Sequence, residues 1–304
     1  MGKEPKRLGN RKVGRYWIVM IWVMLWVCCT ARAGDLAAVK AAGEIRHLGV
    51  PYANFVTGSG DGLDVELMQA FARSLEVDYV YVPTTWETAV GDLTGTDMIS
   101  GKKVQVKGDL LANGITILNW RKALFSYSVP VFPSQVWLVA RADHPMVPIV
   151  PGGSLDQDIA VVKEMIRGRT IAGMAHTCLD PELYGLTGDD IKILYFKGRL
   201  NDLAPAVINN EIGLSLMDVP DALVALEKWP GQIKVIGPVS GHQLMGAAFP
   251  KTSVALREAF NRFFHEIWET GAYQAMVERY YPVFPLYYPE FFARNPGDVH
   301  REAE

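Results

Sequence analysis

The sequence contains few cysteines, and their positions limit the chemistry that it can support. Only three cysteines occur in 304 residues, and two of them, Cys28 and Cys29, lie in an N-terminal apolar run. Cys178 is therefore the sole thiol of the chain that follows this run. One thiol forms no internal disulfide and builds no metal cluster, so we predict neither a metal site nor a cofactor. A nucleophilic role for Cys178 stays open, although a lone buried thiol more often serves packing.

The chain also lacks a strong excess of charge of either sign. It has 30 basic and 33 acidic residues and a net charge of −3. Because a nucleic-acid-binding protein needs a basic patch or stripe, this balance argues against a nucleic-acid partner. No repeat or low-complexity segment is present either. With 49% hydrophobic residues, the length suffices for one large domain or two ordinary ones.

The N-terminus has the three parts of a secretory signal peptide. Six basic residues between positions 3 and 15 precede an apolar run over residues 17–29, and Ala31-Arg32-Ala33 follows as a small-x-small site. We predict cleavage after Ala33. An uncleaved anchor is the alternative, but the run is shorter than the roughly 20 residues that a spanning helix needs. Lipidation at Cys28 or Cys29 is a further alternative, which the bulky residues before them disfavour.

Beyond the leader, predicted strands and helices alternate. Runs of β-branched and apolar residues predict the strands, and apolar residues at helical spacing predict the helices. The predicted strands cover residues 43–50, 77–82, 110–112, 135–140, 170–175, 191–196, 213–217, 234–236 and 242–249; the predicted helices cover residues 63–76, 86–93, 159–166, 203–209, 219–229 and 253–280, the last split near Gly271. This alternation predicts an α/β protein with mostly parallel sheets.

Two breaks in composition predict two lobes that are joined twice. Residues 143–157 are rich in Pro and Gly, and a second break lies near Gly237. We expect the first lobe to comprise residues 34–140 and 241–304, and the second lobe residues 141–240. The first lobe would end in an aromatic C-terminal extension over residues 281–292, which we expect to pack on the body of the protein because exposed aromatic clusters are disfavoured.

The stretch Asp109 to Arg121 carries the most informative polar residues. A buried strand is stopped by Asn113 and Gly114, and Thr116 and Arg121 follow just beyond its end. A guanidinium with two parallel donors and a hydroxyl with a third suit a carboxylate ligand. From these residues alone, a surface loop with an ordinary ion pair remains an equal alternative.

Several short segments together resemble the periplasmic solute-binding proteins of the polar amino acid ABC transporter class, also called extracellular solute-binding protein family 3. Each segment is weak by itself, and the order and spacing of the set carry the resemblance. They are Gly43-Glu-Ile-Arg46 with Gly49-Val50, Tyr52-Ala-Asn-Phe55, Gly62-Leu-Asp-Val-Glu-Leu67, Pro83-Thr-Thr-Trp86, residues 109–121, Tyr127-Ser-Val-Pro130, residues 214–220 and Gly271-Ala-Tyr273.

The resemblance implies a two-lobed type II periplasmic binding protein fold with a ligand in the cleft between the lobes. It also implies a role for individual residues. Tyr52 and Trp86 match aromatic positions that sandwich the ligand side chain; Gly114 and Thr116, with Asn113 beside them, match positions that hold the ligand carboxylate; Arg121 matches the arginine that pairs with this carboxylate, Thr177 a threonine of the second lobe that also reaches it, and Asp218 the acid that binds the ligand ammonium.

The resemblance further implies a monomeric, non-enzymatic protein of the periplasm. Its ligand would be an amino acid or a similar small zwitterion, delivered to an inner-membrane ABC permease or to a sensor. Four departures from the family pattern leave the ligand open: His176 in place of a glycine, Leu118-Asn119-Trp120 in place of polar and Pro residues, an insertion over residues 94–107, and the aromatic extension.

Other interpretations of these residues remain. Without the resemblance, Tyr52 and Trp86 would be taken for core aromatics, and Asp218 could simply cap the next helix. His176 could be a local hydrogen-bonding residue or the general base of an enzyme on the same scaffold, such as a small-acid dehydratase. The insertion and the aromatic extension also suit an accessory or sensory module with a different ligand.

Overall fold

The computed structural model describes residues 1–2, 35–188 and 190–294. The predicted cleavage site after Ala33 and the C-terminal residues 295–304 lie outside the described residues. No helix in the described ranges combines the length and the apolar character that crossing a membrane requires.

The first sheet has five strands in the order β2-β1-β3-β12-β4. Strand β1 pairs in parallel with β2 and β3, whereas β12 pairs antiparallel with β3 and β4. Its strands are β1 (Glu44–Gly49), β2 (Asp78–Pro83), β3 (Leu110–Leu111), β4 (Ser126–Tyr127) and β12 (Ala248–Phe249), and its main helices are α1 (Leu36–Ala42), α2 (Leu63–Leu75), α3 (Ala89–Thr94), α8 (Val254–Glu269) and α9 (Ala272–Tyr280). A short helix α4 (Asn119–Lys122) follows β3.

The second sheet also has five strands, in the order β10-β6-β9-β7-β8. Strand β7 pairs in parallel with β8 and β9, and β6 pairs antiparallel with β9 and β10. Its strands are β6 (Val136–Arg141), β7 (Thr170–Gly173), β8 (Lys192–Tyr195), β9 (Leu214–Asp218) and β10 (Ile233–Pro238), and its helices are α5 (Leu155–Met165), α6 (Leu203–Ile208) and α7 (Val219–Lys228). The predicted α/β class is confirmed; in each sheet, parallel and antiparallel pairings occur equally rather than the parallel ones dominating.

The chain passes between the sheets twice, at Gln135 and Ser240. A two-stranded ladder of β5 (Phe132–Ser134) and β11 (Gln243–Met245) lies beside these crossings. The Gln135 Nε2 donates to the Ser240 carbonyl oxygen at 2.8 Å, and the Val136 amide donates to the Ser240 hydroxyl at 2.8 Å. These bonds tie the two connecting segments to each other, so we call Phe132–Ser134, Gln135, Ser240 and Gln243–Met245 the hinge.

One predicted lobe boundary differs from the sheet membership. We assigned residues up to 140 to the first lobe, but strand β6 lies in the second sheet between β9 and β10. The Pro- and Gly-rich break at residues 143–157 follows β6 instead of preceding it. The actual crossing at Gln135 joins two extended segments just after Pro133, so a proline-containing stretch lies beside it as well.

The insertion and the C-terminal extension adopt different kinds of structure. Within residues 94–107, Thr96 and Lys103 form an isolated antiparallel bridge. The extension forms two short helices, α10 (Phe284–Tyr287) and α11 (Pro289–Ala293), and Phe284 is fully buried with its ring 4.4 Å from that of Phe132. The expectation that the extension packs on the body is therefore confirmed.

Candidate functional site

Arg121 lies in the cleft between the two sheets, with its guanidinium enclosed by aromatic rings. Helix α4 places this side chain at 3% exposure, 5.7 Å from the Trp86 ring and 5.0 Å from the Trp120 ring. Its Nη1 donates to the Thr116 carbonyl oxygen at 3.1 Å. The described residues provide no carboxylate partner for it. A buried cation without a counter-charge is costly, so this position favours an anion from outside the chain.

Several buried polar atoms of the predicted site residues have no hydrogen-bond partner in the part of the chain that the structure describes. The hydroxyl of Thr116, both amide atoms of Asn113 and the indole nitrogen of Trp86 are buried without one, and Asn113 and Thr116 are almost wholly inaccessible. Leaving such an atom unpaired typically costs about 1–3 kcal/mol. Three of the residues predicted to bind a ligand therefore present free hydrogen-bonding capacity.

Asp218 faces the same cleft from the second sheet, at the end of β9. The Tyr52 hydroxyl donates to its Oδ1, and the Cys178 Sγ lies 3.7 Å from its Oδ2. The Asp221 amide also donates to Oδ1, at 3.3 Å, so Asp218 caps helix α7 as well as lining the cleft. Burial raises the pKa of Asp218 to about 6. Because Tyr52 follows β1 of the first sheet, its bond to Asp218 joins the two lobes.

Two predicted carboxylate-holding groups already have partners within the chain. The Gly114 amide donates to the Asp64 carboxyl at 2.7 Å. The Thr177 hydroxyl donates to the Met174 carbonyl oxygen at 2.8 Å and accepts from the Leu179 amide at 3.0 Å. In this structure the donor of each group is therefore used within the chain.

Gly114 has a clear structural reason to be glycine. Its φ of 66° lies in the left-handed region, and a Cβ at this position would overlap the Phe55 ring. The residue shapes the backbone between β3 and Thr116, which the pattern of a strand stopped by Asn-Gly had indicated.

His176 lines the outer part of the cleft. Its backbone has a φ of 61°, its amide donates to the Asp180 carboxylate at 3.2 Å, and its ring has no hydrogen-bond partner among the described residues. A general base is usually oriented by a second group, which the described residues do not provide here. Nor do they hold a cluster of three or more His, Cys, Asp or Glu side chains suited to a metal ion.

Cys178 was missed as a cleft residue by the sequence analysis. It is buried beside Asp218, and burial raises the pKa of its thiol to about 12, which leaves the thiol protonated and able to donate. A usable signal was present, because Cys178 directly follows Thr177 beyond the end of β7, where ligand-contacting residues of α/β sheets are expected.

From Arg121 a narrow passage leads outward to a wider surface groove. The passage, between Trp86, Trp120 and His176, has a volume of about 10 Å³, which is room for a single water molecule. Beyond it lie two adjoining clefts of about 280 and 380 Å³. We call these two clefts the outer groove. Its walls include Met98 and Ile99 of the insertion, Trp120, and His176, Leu183 and Phe196 of the second lobe.

Two α/β lobes joined at a double crossing, with a buried arginine between them that has no carboxylate partner in the described ranges, define a two-lobed solute-binding architecture. The chain belongs to the bacterial extracellular solute-binding proteins, family 3, whose family model matches residues 49–283. This confirms the resemblance that the sequence segments indicated.

Solved structures with the same fold bind amino acids. The arginine-binding protein of T. maritima, as its P235GK mutant, is 22% identical with a TM-score of 0.65, covering 81% of this chain and 99% of that one. A substrate-binding protein of an ABC uptake transporter from Streptococcus pneumoniae, with bound histidine, is 15% identical with a TM-score of 0.64, covering 83% of this chain and 98% of that one. At these identities the likeness establishes the fold alone.

The chain is also similar to part of a longer curated protein. The membrane-bound lytic murein transglycosylase F of Desulfosudis oleivorans is 25% identical over 285 residues, which is 90% of this chain and 57% of the relative. The chain thus spans a little over half the length of that relative.

Proposed function

We propose that the protein binds a small amino acid-like molecule in the cleft between its lobes, with the ligand carboxylate on Arg121. The observation that carries this proposal is the buried guanidinium of Arg121, which has no carboxylate partner among the described residues and contacts the backbone of Thr116, whose hydroxyl has no partner there either. A ligand carboxylate would satisfy both groups at once. Charge-assisted hydrogen bonds of this kind are roughly twice as strong as neutral ones.

Ligand binding would be coupled to closure of the lobes. Arg121, Thr116 and Trp86 belong to the first lobe, whereas Asp218 and Thr177 belong to the second. A molecule that contacts both sets stabilises the closed form over the open one by its differential contacts. The closed protein would then deliver its ligand to an ABC permease or a sensor, as a periplasmic monomer; family membership and the leader-like N-terminus support this assignment.

Isothermal titration calorimetry tests the proposal directly. The protein is unfolded and refolded to remove trapped ligand, and then titrated with the twenty amino acids. For the best ligand, we expect Arg121→Lys to weaken binding about tenfold or more, because lysine keeps the charge but loses the planar two-donor fork.

Arg141→Lys is the matched control. The Arg141 guanidinium lies at the surface in an ion pair with Asp143, so this variant should bind like the wild type. The proposal fails if folded wild-type protein binds neither amino acids nor their N-acyl derivatives, or if the two variants lose affinity equally.

The murein transglycosylase relative favours a second candidate ligand, a fragment of murein sensed by an accessory module. A soluble murein digest that competes with the best amino acid in the titration would support it.

That the protein is not an enzyme also remains a proposal, supported by the isolated ring of His176. Turnover of a small carboxylic acid that is lost in His176→Ala would overturn it.

A further inference from the structure

Donors of the chain already surround the carboxylate of Asp218. Its Oδ1 accepts from the Tyr52 hydroxyl and the Asp221 amide, and its Oδ2 faces the Cys178 thiol. Two of these donors, Tyr52 and Cys178, are side chains fixed in the closed cleft. A free ammonium would compete with these donors for the carboxylate, and a buried charge that is incompletely paired is disfavoured.

An amide nitrogen in the same place has no such requirement. It is uncharged and carries a single N–H, so one neutral acceptor satisfies it. The cleft around Arg121 therefore suits a carboxylate whose neighbouring nitrogen is acylated better than it suits a free amino acid.

The outer groove provides space for the acyl part of such a ligand. The narrow passage and both clefts share Met98 and His176 as lining residues, so the outer groove adjoins the passage that begins at Arg121. In the closed form the passage is too narrow for a chain of atoms, and Trp120, Met98 or His176 must shift to widen it. A free amino acid would leave the groove unused.

The walls of the outer groove indicate that the part of the ligand that occupies it is apolar. Ile99 is 73% exposed, and Leu183 on the opposite wall is 42% exposed. Asp180 and Glu182 make the cleft of about 380 Å³ unfavourable for a second carboxylate, whereas Glu87 and Lys197 line the other cleft. Large apolar side chains exposed in a cleft that continues a binding site indicate a surface that a ligand covers.

We infer that the ligand is an N-acylated amino acid or the carboxyl end of a short peptide, with its carboxylate on Arg121 and its apolar acyl portion in the outer groove. This inference rests on the proposed function, because it keeps the carboxylate on Arg121 and specifies what is joined to it.

The test compares matched pairs of small molecules on the refolded protein. Each of the twenty amino acids is titrated as the free form and as the N-acetyl form, together with the corresponding leucyl dipeptides. We expect at least one N-acetyl amino acid or dipeptide to bind about tenfold or more tightly than its free counterpart. If free amino acids bind more tightly throughout, this inference is overturned while the proposed function stands. If nothing binds, the proposed function itself fails.

Two variants locate the acyl portion. Ile99→Asp places a charge in the outer groove and should weaken dipeptide binding about tenfold without changing the affinity for free amino acids. Val150→Asp is the matched control, since Val150 is 90% exposed and lines neither cleft of the groove. Equal losses in the two variants, or no loss in either, would contradict the assignment of the groove.

A third variant tests the role of Asp218. Tyr52→Phe removes a donor from the Asp218 carboxyl and should shift the preference toward free amino acids by several-fold, because the acid then has capacity for an ammonium. A preference that stays unchanged in a variant with wild-type urea unfolding would contradict this part of the argument.

Discussion

The cleft around Arg121 and the packed C-terminal extension both bury large aromatic side chains, but they differ in whether their buried polar atoms form hydrogen bonds within the chain. In the extension, the hydroxyl of Tyr281 accepts from the Asn54 amide at 3.0 Å, and the nearby Tyr273 hydroxyl donates to the Val131 carbonyl oxygen at 2.6 Å. In the cleft, polar atoms of Asn113 and Thr116 are buried without a partner among the residues that the structure describes. Buried polar atoms that form hydrogen bonds within the chain stabilise the fold, whereas buried polar atoms without such bonds can form hydrogen bonds with a ligand.

The extension also packs against the hinge. Phe132 of the hinge contacts the rings of Tyr281, Phe284 and Phe292 as well as Phe55 of the first lobe. The extension therefore supports the strand through which the chain leaves the first lobe. We expect substitutions here to alter stability strongly and substitutions in the cleft to alter binding.

The largest predicted effect is on stability at the hinge. Phe132→Ala removes a fully buried ring and should lower the free energy of unfolding by about 3–5 kcal/mol. Urea unfolding followed by tryptophan fluorescence measures this change. Tyr287→Ala in the same extension is the control, because Tyr287 is about half exposed and should cost less than about 1 kcal/mol. Similar losses in the two variants would contradict the described packing.

The next effect concerns the buried acids near the cleft. Burial raises the pKa of Asp64 to about 7 and that of Asp218 to about 6. A carboxyl whose pKa is higher in the folded state binds more protons there, so its contribution to stability declines as the pH rises from about 4 toward 7. Burial lowers the pKa of His47 to about 4, so the contribution of His47 to stability rises with pH over part of this range. The prediction is therefore made for the difference in stability between a variant and the wild type.

Asp64→Asn removes one of these titrations while keeping an oxygen for the Gly114 amide. Relative to the wild type, its free energy of unfolding should therefore rise progressively from pH 4 to pH 7. Urea unfolding at half-unit pH steps provides the measurement, and a constant offset between the two proteins would contradict the buried position of Asp64.

The smallest effect compares two threonines of the candidate site. Thr177→Val removes a hydroxyl with two partners and should cost about 1–2 kcal/mol in stability. Thr116→Val removes an unpartnered hydroxyl, so stability should stay equal or rise slightly, while affinity for the ligand should fall. Thermal unfolding combined with titration calorimetry separates the two outcomes. Loss of stability in both variants, with binding intact, would remove Thr116 from the site.

Much of the fold could be predicted from local sequence patterns. Helices α8 and α9 are separated near Gly271, which has a φ of 75°, as predicted. The strand that ends before Asn113-Gly114 is also observed. The crossing at Gln135 was not predicted, because the longer Pro- and Gly-rich stretch over residues 143–157 was taken for the crossing instead. The mixed strand directions were also missed, since strand order depends on contacts between residues distant in sequence.

For the candidate site, the sequence alone determined which groups follow strand ends: Tyr52, Thr116, Arg121, Thr177 and Asp218. Their roles toward a ligand remain predictions. Only the tertiary structure decided which of them have free hydrogen-bonding capacity. Gly114 and Thr177 find partners within the chain, Tyr52 reaches Asp218 across the cleft, and the Thr116 hydroxyl is left unpaired. The physical reason is that periodicity fixes the direction of a side chain, whereas its hydrogen-bond partner comes from whichever distant segment packs against it.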